Sequence, residues 1–362
     1  MKVIIAGGGT GGHLFPGIAL AEEFLKRDGS SEVLFIGTDR GIEKRILPET
    51  GYPLAALDIE GLKGKSPGKV LAALLKIPRG ILRSVEIIRN FQPDLVIGVG
   101  GYASGPAVLA ARMMGLPTAI AEQNALPGWT NRILGRFADR VFLAYAETGR
   151  WFSKGKCIVT GNPIRAAFLE GKDEGTRREG EPFTILVFGG SQGARAVNEA
   201  MIEALVFLKD VKDGLRIIHQ TGPDHIDRVR RAYAAHEMDA EVSPFIMDMA
   251  RAYQNADLLI CRAGATSIAE ITASGKTAIL IPFPYAVGDH QRLNAEVLAK
   301  AGAAVMIAEK DLSGPGLAEA IKRFHRNPGL IREMAEKSAA LGHPRAAAEI
   351  VDACLRFVPA AK

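Results

Sequence analysis

Two stretches of this chain share a pattern that few folds accommodate. Near the N-terminus the apolar run "VIIA" leads into "GGGTGGHLFPGIALAEEF". Far downstream "FTILVF" leads into "GGSQGARAVNEAMIEALVFLK". Each reads as a buried strand, a glycine turn and an amphipathic helix, the opening βα unit of a Rossmann-like domain. Further apolar runs continue the alternation: "EVLFIG", "DLVIGVG", "TAIAE" and "RVFLA" after the first opener, and "LRIIHQTG", "DLLICRAG", "TAILIPFP" and "AAVMIA" after the second. The expected class is α/β, with two Rossmann-like domains facing across a cleft, each a parallel sheet covered by helices. The 362 residues suit two domains. The charged, glycine-rich stretch "EGKDEGTRREGEP" between the two halves reads as an exposed loop. The expected domains are 1–163 and 164–342, with 343–362 as a C-terminal helix packing back on the first.

Composition narrows the function classes. A net charge of +5 suits an anionic substrate or a membrane surface and is too weak to argue for nucleic acid. Cys157, Cys261 and Cys354 are far apart and show no metal-like or disulfide-like spacing, so a reducing compartment is expected. "MKVIIAGGG" lacks the apolar core of a signal peptide, and no run is long enough to span a bilayer.

The first loop satisfies GxGxxG through Gly7, Gly9 and Gly12. Taken alone this is weak evidence for a dinucleotide. The acid that would hold a ribose is poorly placed, the nearest being Asp39 beyond a further glycine. A tight turn with glycines chosen for backbone freedom is the alternative. His13 ends the loop at a helix start, where the dipole disfavours imidazolium and leaves a neutral ring able to act as a base. A packing or capping histidine is the plainer reading.

In the second loop Ser191, Gln192 and Gly193 are expected at a helix N-terminus, where hydroxyl and amide donors suit a phosphate; an ordinary N-cap by Ser191 is the alternative. In "CRAGATSIAE" a helix opens with Ala265, Thr266 and Ser267 and carries Glu270, whose carboxylate can accept from both hydroxyls of a ribose. A glutamate stabilised by the helix dipole is the alternative. Asp289, His290, Gln291 and Asn294 cluster before a helix and could read sugar hydroxyls, or form a solvated loop. No two aspartates stand two apart, so no DxD metal site is expected, and a diphosphate would be met by helix termini, backbone donors and Arg165. Residues 62–90 hold seven Lys or Arg and one acid, Glu86, interleaved with apolar residues. That segment suits either an anionic bilayer or packing on a sheet.

Together "GGGTGGHLFPGIALAEEF", "GVGGYASGPAVLAA", "EQNALPGWTNR", "TGNPIR", "GGSQGARAVN", "PFIMDMARAYQNADLLICRAGATSIAE" and "DHQRLNAE" resemble, in content and order, the MurG family of N-acetylglucosaminyltransferases. The resemblance runs from the first strand to about residue 345. It implies the GT-B fold and inverting transfer of GlcNAc from UDP-GlcNAc to the MurNAc C4 hydroxyl of lipid I, giving lipid II. It implies no cofactor and no metal, and a peripheral place on the cytoplasmic face of the bacterial plasma membrane, reached through the 62–90 segment. By the same resemblance substrate contacts fall on Thr10, Gly11, Gly12, Asn124, Arg165, Ser191, Phe245, Ile246, Ala265, Thr266, Ser267, Ile268, Ala269, Glu270 and Gln291. Phe245 and Ile246 would line a uracil pocket, Glu270 hold the ribose and Gln291 the GlcNAc hydroxyls. His13 is the first candidate for the catalytic base and Glu122 the second. One departure is visible: Ala121 stands where the family usually has a histidine. A nicotinamide-dependent oxidoreductase and a sugar-nucleotide epimerase of the same fold are the competing classes.

Overall fold

The computed structural model describes residues 1–39, 41–59, 67–169 and 180–358; of 67–74 and 287 it describes the backbone only. The chain divides into two compact units, Met1–Arg165 with His343–Lys362, and Ala166–Gly342.

The first unit alternates β1 (Lys2–Ala6), α1 (Gly11–Arg27), β2 (Glu32–Thr38), α2 (Glu43–Thr50), β3 (Leu54–Leu57), α3 (Pro67–Phe91), β4 (Leu95–Gly98), α4 (Ser104–Met113), β5 (Thr118–Glu122), α5 (Trp129–Leu134), β6 (Arg140–Leu143) and β7 (Cys157–Val159). The strands form one sheet in the order β3-β2-β1-β4-β5-β6-β7, and every pairing is parallel. Val3, Ile4 and Ile5 on β1 and Leu95, Val96 and Ile97 on β4 are wholly buried. A strand covered on both faces must be apolar at every position, which is why these runs do not alternate. Each such side chain contributes about 1.5–3 kcal/mol.

The second unit alternates β8 (Phe183–Phe188), α6 (Arg195–Ala204), β9 (Leu215–Gln220), α7 (Ile226–Ala235), β10 (Ala240–Ser243), α8 (Met249–Asn255), β11 (Leu258–Cys261), α9 (Ala265–Ala273), β12 (Thr277–Leu280), α10 (His290–Lys300) and β13 (Ala304–Met306), then α11 (Gly314–Arg326) and α12 (Pro328–Ala340). Its sheet, β10-β9-β8-β11-β12-β13, is also parallel throughout. The chain ends in α13 (Ala346–Phe357), which packs on α1 of the first unit with Arg27 and Asp352 paired at 2.7 Å.

Both sheets reverse strand order once, between β1 and β4 and between β8 and β11. Ligands of such sheets bind beyond the strand C-termini at that reversal. The two glycine loops follow β1 and β8, so both openers lie at the reversals.

Candidate active site

In the first unit the loop after β1 is braced from beneath by a residue that sequence reasoning missed. Glu43, at the start of α2, is fully buried. Its carboxylate accepts the Gly9 amide at 2.8 Å and both the amide and hydroxyl of Thr38 at 2.8 Å. It is consumed by the chain's own donors and offers nothing to a ribose, while Asp39 is exposed. That geometry disfavours the dinucleotide reading of GxGxxG.

Thr10 is the N-cap of α1, so Gly11, Gly12 and His13 form its first turn. His13 Nδ1 lies 3.3 Å from the Thr10 hydroxyl. The imidazole rests over Gly100 in the turn after β4. Gly100 has φ +92°, and a Cβ there would come within 2.6 Å of the ring. A glycine is therefore required for His13 to occupy its place. Arg165 stacks its guanidinium 4.3 Å from the centre of the Phe15 ring, one turn along α1. Thr10, Gly11, Gly12, His13 and Arg165 thus gather around the start of one helix.

Glu122 ends β5 and is buried. Oε1 accepts from the Asn124 amide at 3.0 Å and from Asn124 Nδ2 at 3.2 Å; Oε2 accepts from the Gly128 amide at 3.1 Å and from Asn131 Nδ2 at 2.9 Å. Four donors occupy this carboxylate, so the geometry makes it a clamp for the 124–131 loop, holding Asn124 in position, and gives it no open face for a substrate proton. Ala121, where a family histidine is missing, is itself buried in β5.

In the second unit Ser191 is not the N-cap of α6. The loop runs on to Ala194, which precedes the first helical residue, Arg195, so Ser191 stands in the turn itself. The turn closes through the Gly193 amide on the Gly190 carbonyl at 2.9 Å. Gly193 has φ +73° and passes so close to Thr221 that a Cβ would collide with its carbonyl at 2.0 Å. A second brace appears here. Gln220, buried at the end of β9, donates from Nε2 to the Gly190 carbonyl at 2.9 Å and accepts the Ile246 amide on Oε1 at 2.8 Å. One side chain thereby ties the glycine turn to the segment of Phe245 and Ile246. Beneath them His219 bridges Tyr233 at 2.7 Å and Asn198 at 3.1 Å, and Asn198 donates to the Thr221 carbonyl at 2.9 Å.

Gly264 caps α9, placing Ala265, Thr266 and Ser267 in its first turn, with Ile268, Ala269 and the buried Glu270 following. Burial pushes the Cys261 thiol up, and the Glu270 carboxylate adds to the rise, which sets Glu270 close to the end of β11. The expected polar loop before α10 is mostly helix: His290 opens α10, and Gln291 and Asn294 lie within it. Gln291 Oε1 accepts the Phe283 amide at 2.9 Å. Asn294 is buried and donates to Ala263 O at 3.3 Å, a tie to the α9 loop. A cavity of about 500 Å³ is lined by Gly189, Gly193, Arg262, Phe283, Gln291 and Glu309, among others. Arg262 pairs with Glu309 at 2.5 Å on its wall. Among the described residues no group of three His, Cys, Asp or Glu could hold a metal ion.

Of the 62–90 segment, residues 62–66 lie outside the described residues, as do the side chains of Lys69, Val70, Leu71 and Leu74. The remainder of α3 has a buried face and an exposed one. Gly80, Ser84, Ile87 and Ile88 are buried, whereas Leu75 and Leu82 are 65% and 71% exposed. Lys76 pairs with Asp58 and Arg83 with Glu86. Among the described residues no helix is long and apolar enough to cross a membrane.

Comparison with known proteins gives a consistent result. Residues 3–143 match the glycosyltransferase family 28 N-terminal domain and residues 184–350 its C-terminal domain. A protein of Syntrophus aciditrophicus named "UDP-N-acetylglucosamine--N-acetylmuramyl-(pentapeptide) pyrophosphoryl-undecaprenol N-acetylglucosamine transferase" is 60% identical, covering 99% of each chain. The crystal structure of Acinetobacter baumannii MurG superposes with a TM-score of 0.74 at 35% identity, over 98% of this chain and 99% of that one. The UDP-GlcNAc 2-epimerase of Neisseria meningitidis, bound to UDP-GlcNAc, has a TM-score of 0.69 at 14% identity over 98% of this chain and all of that one, a likeness of fold.

Proposed function

The chain belongs to glycosyltransferase family 28, and from that premise we propose that it is an inverting N-acetylglucosaminyltransferase. It moves GlcNAc from UDP-GlcNAc to the MurNAc C4 hydroxyl of lipid I, undecaprenyl-diphospho-MurNAc-pentapeptide, and the product is lipid II. The observation that carries this reading is the full-length likeness to a relative named for that transfer. The enzyme works as a peripheral protein at the cytoplasmic face of the bacterial plasma membrane, with α3 toward the lipid.

The second unit takes the nucleotide. The Ile246 carbonyl meets the uracil edge beside Phe245, Glu270 accepts from the ribose hydroxyls, and Ser191 with the turn amides meets phosphate oxygens. With Oε1 of Gln291 bound to Phe283, its Nε2 is the end that donates to a GlcNAc hydroxyl. The first unit takes the acceptor. His13 accepts the C4 hydroxyl proton as that oxygen attacks the anomeric carbon from the side opposite UDP. A hydrogen bond from Nδ1–H to the Thr10 hydroxyl would leave the lone pair on Nε2, which makes Nε2 the basic atom. Arg165 supplies positive charge to a substrate diphosphate. Asn124, clamped by Glu122, supplies a fixed amide.

The test uses radiolabelled UDP-GlcNAc with and without a lipid I analogue. The expected result is label in the acceptor and UDP released only when the acceptor is present. Acceptor-independent UDP release would mean an epimerase-like reaction, and absence of transfer would overturn the reading.

A further inference from the structure

The chain has two tryptophans, and both lie in one exposed cluster. Trp129 opens α5 and is 73% exposed; Trp151 ends the 3-10 helix Ala146–Trp151 and is 42% exposed. Arg132 joins them, its guanidinium 3.9 Å from the Trp151 ring centre and 5.6 Å from that of Trp129. Ile133 and Phe137 follow Trp129 at intervals of four and are 50% and 45% exposed. The Phe137 and Ala138 amides bond back to Leu134, so the helical path continues through that stripe. Large apolar side chains gathered on a surface mark a contact.

The cluster is held rigidly. Arg132 Nε donates to the Pro127 carbonyl at 3.1 Å, and Asn131 is fixed by Glu122 and the Ala121 carbonyl. Its surroundings are basic: residues 128–156 contain Arg132, Arg136, Arg140, Arg150, Lys154 and Lys156 against Asp139 and Glu147. Asp139 is engaged by Thr118 and Arg112. Tryptophan beside arginine is the chemistry of the bilayer interface, where amphipathic rings sit at headgroup level and guanidinium groups meet phosphates.

We propose that the Trp129–Arg132–Trp151 cluster is a second membrane anchor that inserts into the headgroup region of an anionic bilayer. This rests on the lipid-acceptor reading above. The strand steps β3 to β4, β4 to β5 and β5 to β6 all run in one direction along the sheet, so right-handed crossovers put α3, α4 and α5 on one face. Contacts link α3 to α4 and α4 to α5. The anchor therefore shares a face with the exposed leucines of α3. It also has a consequence for the site: the Glu122 carboxylate that fixes Asn131 fixes Asn124 as well. Trp129 and Asn124 thus lie on one loop held by a single carboxylate.

Because the cluster contains both tryptophans, intrinsic fluorescence reads it directly. Full-length protein is mixed with vesicles of phosphatidylglycerol and phosphatidylcholine, and sedimentation is measured alongside emission. The expected result is co-sedimentation with a blue shift, quenching by lipids brominated high on the acyl chain, and neither with phosphatidylcholine alone. Replacing both tryptophans, Trp129→Ser with Trp151→Ser, should weaken vesicle binding about tenfold or more at an unchanged melting temperature, since two large apolar surfaces return to water. Co-sedimentation without a blue shift would overturn the anchor and leave the lipid reading standing. Failure to bind anionic vesicles at all would overturn both.

Discussion

The loops after β1 and after β8 start from the same strand–glycine–helix pattern and are braced in opposite ways. Beneath the first lies the Glu43 carboxylate, which takes the Gly9 amide for itself. Beneath the second lies the neutral Gln220 amide, bonded to a loop carbonyl. A carboxylate in hydrogen-bond reach of a loop repels a phosphate on that loop, whereas a neutral amide does not. The first loop thus has its Gly9 amide taken by Glu43 and presents Thr10 and His13 at a helix start. The second closes through the Gly193 amide on the Gly190 carbonyl and is tied by Gln220 to the Ile246 amide. What a glycine loop binds is decided by what holds it from below.

The largest expected effect breaks the first side of this comparison. His13→Ala should lower kcat by roughly 10²–10⁴-fold and remove the acidic limb of the pH–rate profile. Near-normal turnover would leave the first loop without chemistry. A milder variant probes the same ring: Gly100→Ala pushes a methyl into the imidazole and should lower kcat by more than tenfold while the KM for UDP-GlcNAc holds, an effect of misplacement. On the second side, Glu270→Gln removes charge-assisted hydrogen bonds, each about 1.5–3 kcal/mol. Calorimetry should show UDP bound at least tenfold more weakly, and an unchanged affinity would take Glu270 out of the ribose role.

The smallest effect concerns acid. Burial pushes the His219 pKa from 6.5 down to about 3, so the ring is neutral in the fold. Between those values the unfolded chain binds a proton that the fold does not, so stability rises with pH across the window. The contribution is complete above about pH 6.5 and is lost as pH falls toward 3. His219 supports Thr221 through Asn198, so acid should loosen the second loop first. Urea unfolding at a series of pH values should show a falling midpoint below pH 6.5, flattened in His219→Gln. Parallel curves for the two proteins would remove His219 as the cause.

The central strands were plain in the sequence because a strand buried on both faces must be apolar throughout. The edge strands β3, β7 and β10 were not, since they face partly outward and no buried apolar run marks them. At the site, the glycine loops and His13 stood out because each sits at a strand-to-helix junction, and Glu270 because it is a carboxylate on the helix that follows one. Gln220 could not be read, because its partners are 30 and 26 residues away and meet it only when the sheet forms. Glu43 lies just five residues beyond Thr38 but looked like an ordinary helix-start acid. Ser191 was expected at a helix N-terminus but stands short of it, in a turn whose length before Ala194 and α6 the sequence does not reveal. The tryptophan cluster was overlooked for a similar reason: the two rings stand 22 positions apart in the chain and meet over one arginine.

The central claim is that the second loop holds the nucleotide and the first does not. Calorimetric titration of UDP into His13→Ala and into Gln220→Met, beside the unaltered protein, tests it most directly. Methionine keeps the bulk of Gln220 and deletes both hydrogen bonds. The expected result is wild-type UDP affinity in His13→Ala and affinity weakened about tenfold in Gln220→Met, with no fall in melting temperature large enough to unfold it at the assay temperature. Unimpaired binding in Gln220→Met together with lost binding in His13→Ala would contradict the account.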